Sequence, residues 1–409
     1  MTKRIIPKVR FNGFDDEWQQ KCLSEIFNIS SGFTGDSSLN DGKYYLTRIE
    51  TIADGDINID KLGFSNIEPN EKFRLNKGDI LYSNINSLKH MGKVALFKAD
   101  KTVYHGINLL RLSCKPQYNA EFLFYQLNTE EKRDWARSHA NQAVSQASIN
   151  QTSLGKQKLS HPKLAEQSQI GSLFSTIDSL LSSYKDNLEN YQSFKKSMLS
   201  KMFPKAGQTV PEIRLDGFEG EWEVKKLGDV TERVKGNDGR MDLPTLTISA
   251  ANGWMNQEER FSQNIAGKEQ KNYTLLRKGE LSYNHGNSKL AKYGVVFELE
   301  NYDEALVPRV YHSFKVNKQA DSKFIETMFA TKKTDRELAK LVSSGARMDG
   351  LLNINFDEFM GITITIPSVS EQNSIGIFFS KLDNLISSYQ TKINELETLK
   401  KKLLQDMFI

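Results

Sequence analysis

The sequence predicts an α+β chain: two similar α+β heads separated by a long antiparallel two-helix coiled coil, an internal tandem repeat with pseudo-twofold symmetry. Three observations carry that expectation. A motif near the start recurs 204 residues later, a 38-residue segment recurs at an offset of 205, and that segment bears one apolar stripe at helical spacing. Repeats are read first because a missed repeat mis-assigns the whole fold.

The first repeat opens each head. Residues 7–27 read PKVRFNGFDDEWQQKCLSEIF and residues 211–230 read PEIRLDGFEGEWEVKKLGDV. Pro7, Arg10, Gly13, Phe14, Glu17, Trp18, Lys21 and Leu23 return as Pro211, Arg214, Gly217, Phe218, Glu221, Trp222, Lys225 and Leu227. A Gly-Phe turn followed by a buried Trp would fix a head on the helices, so these residues read as structural. Inside each head, β-branched and aromatic runs bounded by Gly, Asn and Asp predict strands near 43–50, 78–84, 93–98 and 107–113. Their counterparts lie near 244–250, 279–284, 294–299 and 306–316, and each head adds one helical stretch, 119–138 and 321–342.

The second repeat, 166–203 against 371–408, is identical at 16 of 38 positions. Its stripe runs through Ile170, Leu173, Ile177, Leu180, Tyr184 and Leu188, and through Ile375, Phe378, Leu382, Leu385, Tyr389 and Ile393. The steps of three and four residues, the absence of proline within, and Pro162 and Pro367 just before make each segment one long helix. Such a stripe must be buried, and its own repeat is the natural partner. The stretch PKAGQTVP (204–211) leads straight into the second head, so the second helix is expected to run back antiparallel and return Ile409 toward the first head. At about 1.5 Å per residue, 38 residues make a spacer of about 57 Å. The predicted boundaries are 1–160 and 206–366 for the heads, 161–205 and 367–409 for the spacer helices.

Composition narrows the class without choosing within it. With 38% hydrophobic and 26% charged residues the 409-residue chain is neither disordered nor low in complexity. No run of about 18 apolar residues predicts a membrane span. The start, MTKRIIPKVRFNGF, turns polar too soon for a secretory leader. Two cysteines, Cys22 and Cys114, suit a reducing cytoplasm and cannot build a disulfide framework. The net charge of +4 argues for no particular partner. Residues 1–160 hold 22 basic against 18 acidic residues, a net of +4; residues 206–366 hold 22 against 24, a net of −2. A chain so balanced is expected to bind DNA poorly alone.

The order PxxRxxGFxxEW, KGD or KGE with an aromatic strand (77–82 and 278–283), Ile-Asn…Pro (149–162 and 354–367) and EQxxIxxxFxxxDxLI/LxxY, twice at one offset, resembles the specificity subunit of type I restriction–modification systems. The resemblance covers Pro7 to the C-terminus. It implies that the heads are target-recognition domains, each reading half of a bipartite double-stranded DNA sequence, and that the helices set the unread gap. It implies two methyltransferase subunits supplying S-adenosylmethionine and catalysis, and two restriction/translocase subunits using ATP and Mg, with no cofactor on this chain. The residues agree that this chain is no enzyme: there is no Pro-Pro to hold a flipped base, no G-x-G turn, no G-K-[ST], and six scattered histidines without metal-ligand spacing. The competing reading is a non-catalytic coiled-coil adaptor tethering two protein-binding heads.

Base reading needs Arg or Lys toward guanine, Asn or Gln toward adenine, and Ser or Thr toward either. Two polar segments per head have that chemistry. One follows the KGD/KGE strand: Asn84, Asn86, Ser87, Lys89 and His90, then Asn284, His285, Asn287, Ser288 and Lys289. The other precedes Ile-Asn: Asn141, Gln142, Ser145 and Gln146, then Ser343, Ser344 and Arg347. No metal site is expected.

Overall fold

The structure, a computed structural model, describes residues 5–35, 39–53, 55–142, 146–261, 267–286, 288–342 and 351–409. The chain divides into two compact units, Met1–Lys185 with Thr391–Ile409, and Asp186–Gln390. Among the described residues no helix is long and apolar enough to cross a membrane.

In the first unit a four-stranded antiparallel sheet has the order Phe27–Ser31, Leu110–Cys114, Ile80–Tyr82, Val94–Leu96. Leu110 and Leu112 alternate with Arg111, the period-two pattern of a strand with one buried face, and Leu112 sits opposite Ile29 and Ile80. Ile80, Leu81 and Tyr82 are all buried, because this strand is covered on both faces. A separate ladder pairs Gln19–Cys22 with Lys158–His161. The helix Ala120–Leu127, capped where Asn119 Oδ1 accepts from the Phe122 N–H at 2.8 Å, buries Phe122 through Leu127.

The second unit repeats this plan. Its sheet runs Thr231–Arg233, His312–Val316, Leu281–Asn284, Val295–Glu298, its ladder pairs Glu223–Lys226 with Thr363–Ile366, and Asp321 caps the helix Ser322–Ala330. Two expectations from sequence are refined. Each helical stretch is broken in two: Glu130–His139 follows Ala120–Leu127 after an extended Thr129, and Asp335–Leu341 follows Ser322–Ala330 after Lys332, which sits at φ 62. The run 306–316 is two strands, Glu304–Val307 and His312–Val316, because Pro308 has no N–H for a ladder.

The long helices are Leu164–Lys201 and Val369–Met407, each starting two residues past a proline. Within each unit their segments run antiparallel. In the first unit Lys400 pairs with Asp178 and Lys185 with Glu397; in the second Lys195 pairs with Asp383 and Tyr191 packs on Tyr389 at 5.5 Å. As connectivity suggests, the C-terminal segment folds with the first head, where the Val9 N–H donates to the Asp406 carbonyl at 3.0 Å.

The buried seam differs from the predicted stripe. It runs through Ile170, Phe174, Ile177 and Leu181, then the half-buried Tyr184 and Leu188. Its counterpart runs through Ile375, Phe379, Leu382, the half-buried Ile386 and Tyr389, and Ile393. The half-buried Phe378 packs on Phe194 of the other long helix at 6.3 Å and belongs to the seam, whereas Leu173 is half-buried beside it and Leu180 and Leu385, at 41% and 36% exposed, lie outside it. Apolar residues stand there in adjacent pairs, and steps of three or four accept either member. One residue swings a side chain about 100° around the axis, enough to move it from seam to surface.

Candidate nucleic-acid interface

Each head is clamped to helix by the same set of side chains. Arg10 donates from Nε and Nη2 to the Glu166 carboxylate at 2.7 and 2.8 Å, and Arg214 does the same to Glu371 at 2.7 and 2.6 Å. Both glutamates are buried. Forked guanidinium–carboxylate pairs fix orientation as well as position. Gln167 donates to the Pro162 carbonyl and accepts from the Asn119 N–H, and Gln372 repeats this with Pro367 and Asp321. Trp18 and Trp222 are buried as expected, edge-on to Phe122 at 5.6 Å and Phe324 at 5.8 Å. Phe408 packs on Phe122 and Phe174, as Phe203 packs on Phe324 and Phe379. Sequence reasoning missed Phe203 and Phe408, although the recurring Met-Phe at the end of both long repeats was the available signal.

On this clamp the first head brings its two polar segments together. Asn141–Gln142, Ala147–Ser148 and Ile85–Asn86 form one three-stranded sheet, with Gln142 opposite Ala147 and Ala147 opposite Asn86. Ser87, Lys89, Asn141, Gln142 and Gln146 are exposed on it, and His90 is half-buried. Asn86 is tied locally, donating to Ser83 Oγ at 3.1 Å and accepting from the Ser87 N–H at 2.8 Å. Ser145 lies outside the described residues.

In the second head Gly286 bridges to Leu351, so the segments before and after the corresponding turn also meet. Ser288 and Lys289 are exposed. Asn284 donates to the Ile248 carbonyl at 3.2 Å and accepts from the Gly286 N–H at 3.1 Å. Asn287, Ser343, Ser344 and Arg347 lie outside the described residues.

Two candidate residues prove to be internal. Asn84 is buried, its side-chain amide donates to the Ile149 carbonyl at 3.1 Å, and its backbone carbonyl accepts from the Ile149 N–H at 2.8 Å. His285 is 3% exposed, its Nδ1 and Nε2 facing the Leu352 and Val310 carbonyls at 2.7 and 2.9 Å. Both tie the turn to backbone carbonyls of neighbouring segments, which corrects their reading as base contacts. Beside His285, the His312 imidazole stacks at 4.9 Å, and burial pushes its pKa down to about 4. What remains on the surface is amide, hydroxyl and ammonium chemistry, suited to base edges and phosphates.

Two similar heads, each clamped to a long helix by the same set of side chains, define a duplicated scaffold. The family of type I restriction modification DNA specificity domains matches residues 15–190 and 219–398, and the chain belongs to that family. A Methanocaldococcus jannaschii protein named as the MjaX type I restriction enzyme specificity subunit is 34% identical over 231 residues, 54% of each chain. The MjaVIII type I restriction enzyme specificity subunit of the same organism is 21% identical over 261 residues, 60% of each chain. The matched region thus spans little more than half the length of these relatives. A solved S subunit of a type I restriction-modification system from M. genitalium has the same fold over 99% of both chains, with a TM-score of 0.61 at 16% identity.

Proposed function

We propose that this chain is the sequence-reading subunit of a type I restriction–modification complex, cytoplasmic and without a catalytic centre of its own. Each head reads one half of a bipartite DNA target, and the helix pair sets the length of the unread gap. The observation that carries this reading is the duplicated clamp, which gives two divergent rims one common mounting. Replacing residues 206–366 with the equivalent head of a relative tests it: methylated-adenine mapping should show one half-site changed and the other kept. Change in both halves, or in neither, refutes the reading.

Methyltransferase and restriction subunits dock on this chain in the same proposal, bringing S-adenosylmethionine, ATP and Mg with them. Exposed apolar side chains recur on the helices at an offset of 205: Leu164 with Val369, Leu180 with Leu385, and Phe194 with Leu399, the last two both 46% exposed. Each unit therefore presents one equivalent set, which supports two equal docking sites for methyltransferase subunits. The net charge of −2 on residues 206–366 fits a head that relies on its partners for phosphate contacts. Leu180→Glu with Leu385→Glu should abolish co-purification with a co-expressed methyltransferase subunit while leaving the fold intact. Unchanged co-purification would place the docking surface elsewhere.

A further inference from the structure

We infer that the cavity beside the loop leaving the first long helix, in the second unit, binds a phosphate monoester. The cavity, of about 370 Å3, lies wholly within residues 186–390. It is lined by the buried Phe203, Met328 and Ile364, by residues 205–208 of the loop, and by the turn that follows the helix Ser322–Ala330. An apolar lining lowers the local dielectric and strengthens the pull of any charge at its edge.

Charge selects the ligand. Lys205, Lys333 and Arg336 line the cavity against one carboxylate, Glu337, which already pairs with Lys340. Arg336 is exposed and forms no ion pair among the described residues. Glu212 is shared by Lys205 and Lys201 at 3.5 Å each, so Lys205 is only part-neutralised. Lys333 donates to the Ser200 carbonyl at 2.9 Å and to that of Phe203, neutral acceptors that leave its charge uncancelled. Burial and then the neighbouring Lys205 lower its pKa, the mark of cations crowded without enough counter-charge. Three cations against one carboxylate leave a surplus of two. That matches a phosphate monoester, which carries about −1.5 to −2 near pH 7, better than the single charge of a DNA phosphodiester.

Thr334 is a second, independent sign of a ligand. It lines the cavity, is 5% exposed, and its buried Oγ1 has no hydrogen-bond partner. Nor does that hydroxyl cap the helix Asp335–Leu341 that it precedes. A buried hydroxyl without a partner carries a desolvation cost that a ligand oxygen would offset. Thr334 follows Lys333 and stands two residues before Arg336, so one turn supplies hydroxyl, ammonium and guanidinium, the side-chain donors that suit phosphate oxygens. The first unit shows that the fold does not require the opening. There Gln126 and Ser160 stand where the second unit has Met328 and Thr365, at offsets of 202 and 205. The Gln126 side chain donates to the Ser160 carbonyl at 2.6 Å and ties helix to strand. Met328 and Thr365 both line the cavity, and a thioether has no donor with which to make that tie.

The test uses the full chain labelled with 5-fluorotryptophan, the Trp18 and Trp222 resonances being identified by replacing each with Phe. Trp222 packs edge-on to Phe203 at 5.8 Å and so reports on the cavity. At an ionic strength held constant with KCl, adenosine 5′-phosphate should shift the Trp222 resonance saturably and leave that of Trp18 in place. Thr334→Val should weaken the response about tenfold, the worth of one hydrogen bond to a charged group. Lys205→Gln with Arg336→Gln should abolish it, while the Trp222 resonance of the unliganded variant stays native. No Trp222 shift, equal affinity in the variants, or an equal response to adenosine or to KCl alone would overturn the inference. A DNA duplex without terminal phosphates that gives the same shift, lost in the Lys205 and Arg336 variant, would overturn the monoester and assign the cavity to the DNA backbone.

Discussion

Removing the carboxylate from each clamp should destabilise the two units unequally. In Glu166→Ala, Arg10 loses both of its side-chain hydrogen bonds among the described residues, and its Nη1 is already buried without a partner. Breaking a buried pair from one side costs about 3–5 kcal/mol; the 11% exposure of the Arg10 side chain lets some water in and favours about 3. In Glu371→Ala, Arg214 keeps the Gly220 and Glu219 carbonyls, at 2.5 and 2.9 Å, as acceptors. Hydrogen bonds to a charged group are worth about 1.5 kcal/mol or more each, so the expected loss falls to about 1–2 kcal/mol. At a urea m-value of about 2 kcal/mol per molar, the midpoint shifts are about 1.5 M and 0.7 M. Urea unfolding followed at the fluorinated Trp18 and Trp222 resolves the units, and each variant should move only its own transition. Equal shifts in the two units, or a Glu166→Ala shift below about 0.3 M, would refute the view that these pairs clamp the heads. Replacing both partners, Arg10→Met with Glu166→Leu, should recover most of the loss, because no unpaired charge is then buried.

The seam assignment predicts that Phe174→Ala costs about 3–5 kcal/mol while Leu180→Ala stays within about 0.5, measured by urea unfolding of the chain without partners. Phe408→Ala, which removes the contacts with Phe122 and Phe174, should cost about 3 kcal/mol and raise amide exchange in residues 391–409 without changing exchange in 206–366. His105 is fully buried, and burial lowers its pKa to about 4. The unfolded chain therefore binds the extra proton first, and stability should be level above pH 6.5 and fall by about 3 kcal/mol as pH drops to 4. A His105→Asn variant should lose that part of the acid slope; an unchanged slope would show that another group causes it.

The parts legible in the sequence were those set by local pattern. The long helices followed from spacing and a preceding proline, and the heads' strands from short β-branched runs, because both signals lie within a dozen residues. The clamps were half-legible. Arg10 and Glu166 each recur in the second copy, but nothing in spacing pairs two residues 156 apart in the chain. The seam was read one residue off at Leu173–Phe174 and Leu180–Leu181, where composition cannot choose between adjacent apolar neighbours. Asn84 and His285 look like surface polar residues because a side chain that bonds to backbone carbonyls across the fold has the same sequence signature as one facing water. The breaks near Thr129 and Lys332 depend on two backbone torsions, which helical periodicity does not record.

A duplicated chain separates what must stay fixed from what can change. The clamps recur at offsets of 204 and 205 with the same residue types and bond lengths within about 0.2 Å, since a forked ion pair or an interlocked ring cluster tolerates little displacement. Between them the offset slips to 202 at Leu96 and Glu298, so insertions have been absorbed in the loops, where added length costs little free energy. The rims lie in those loops. Their exposed amides and ammonium groups bear no packing load, so their chemistry can change without disturbing Trp18, Phe122 or their counterparts. Exchanging one head should therefore alter recognition while leaving the unfolding midpoint of the other unit where it was. The exchange of the buried Leu96 and Phe124 for the half-buried Glu298 and Glu326 follows the same logic: it falls on the last strand of the sheet and on the helix beside it, while Leu281, Ser282 and Tyr283 of the neighbouring strand stay buried.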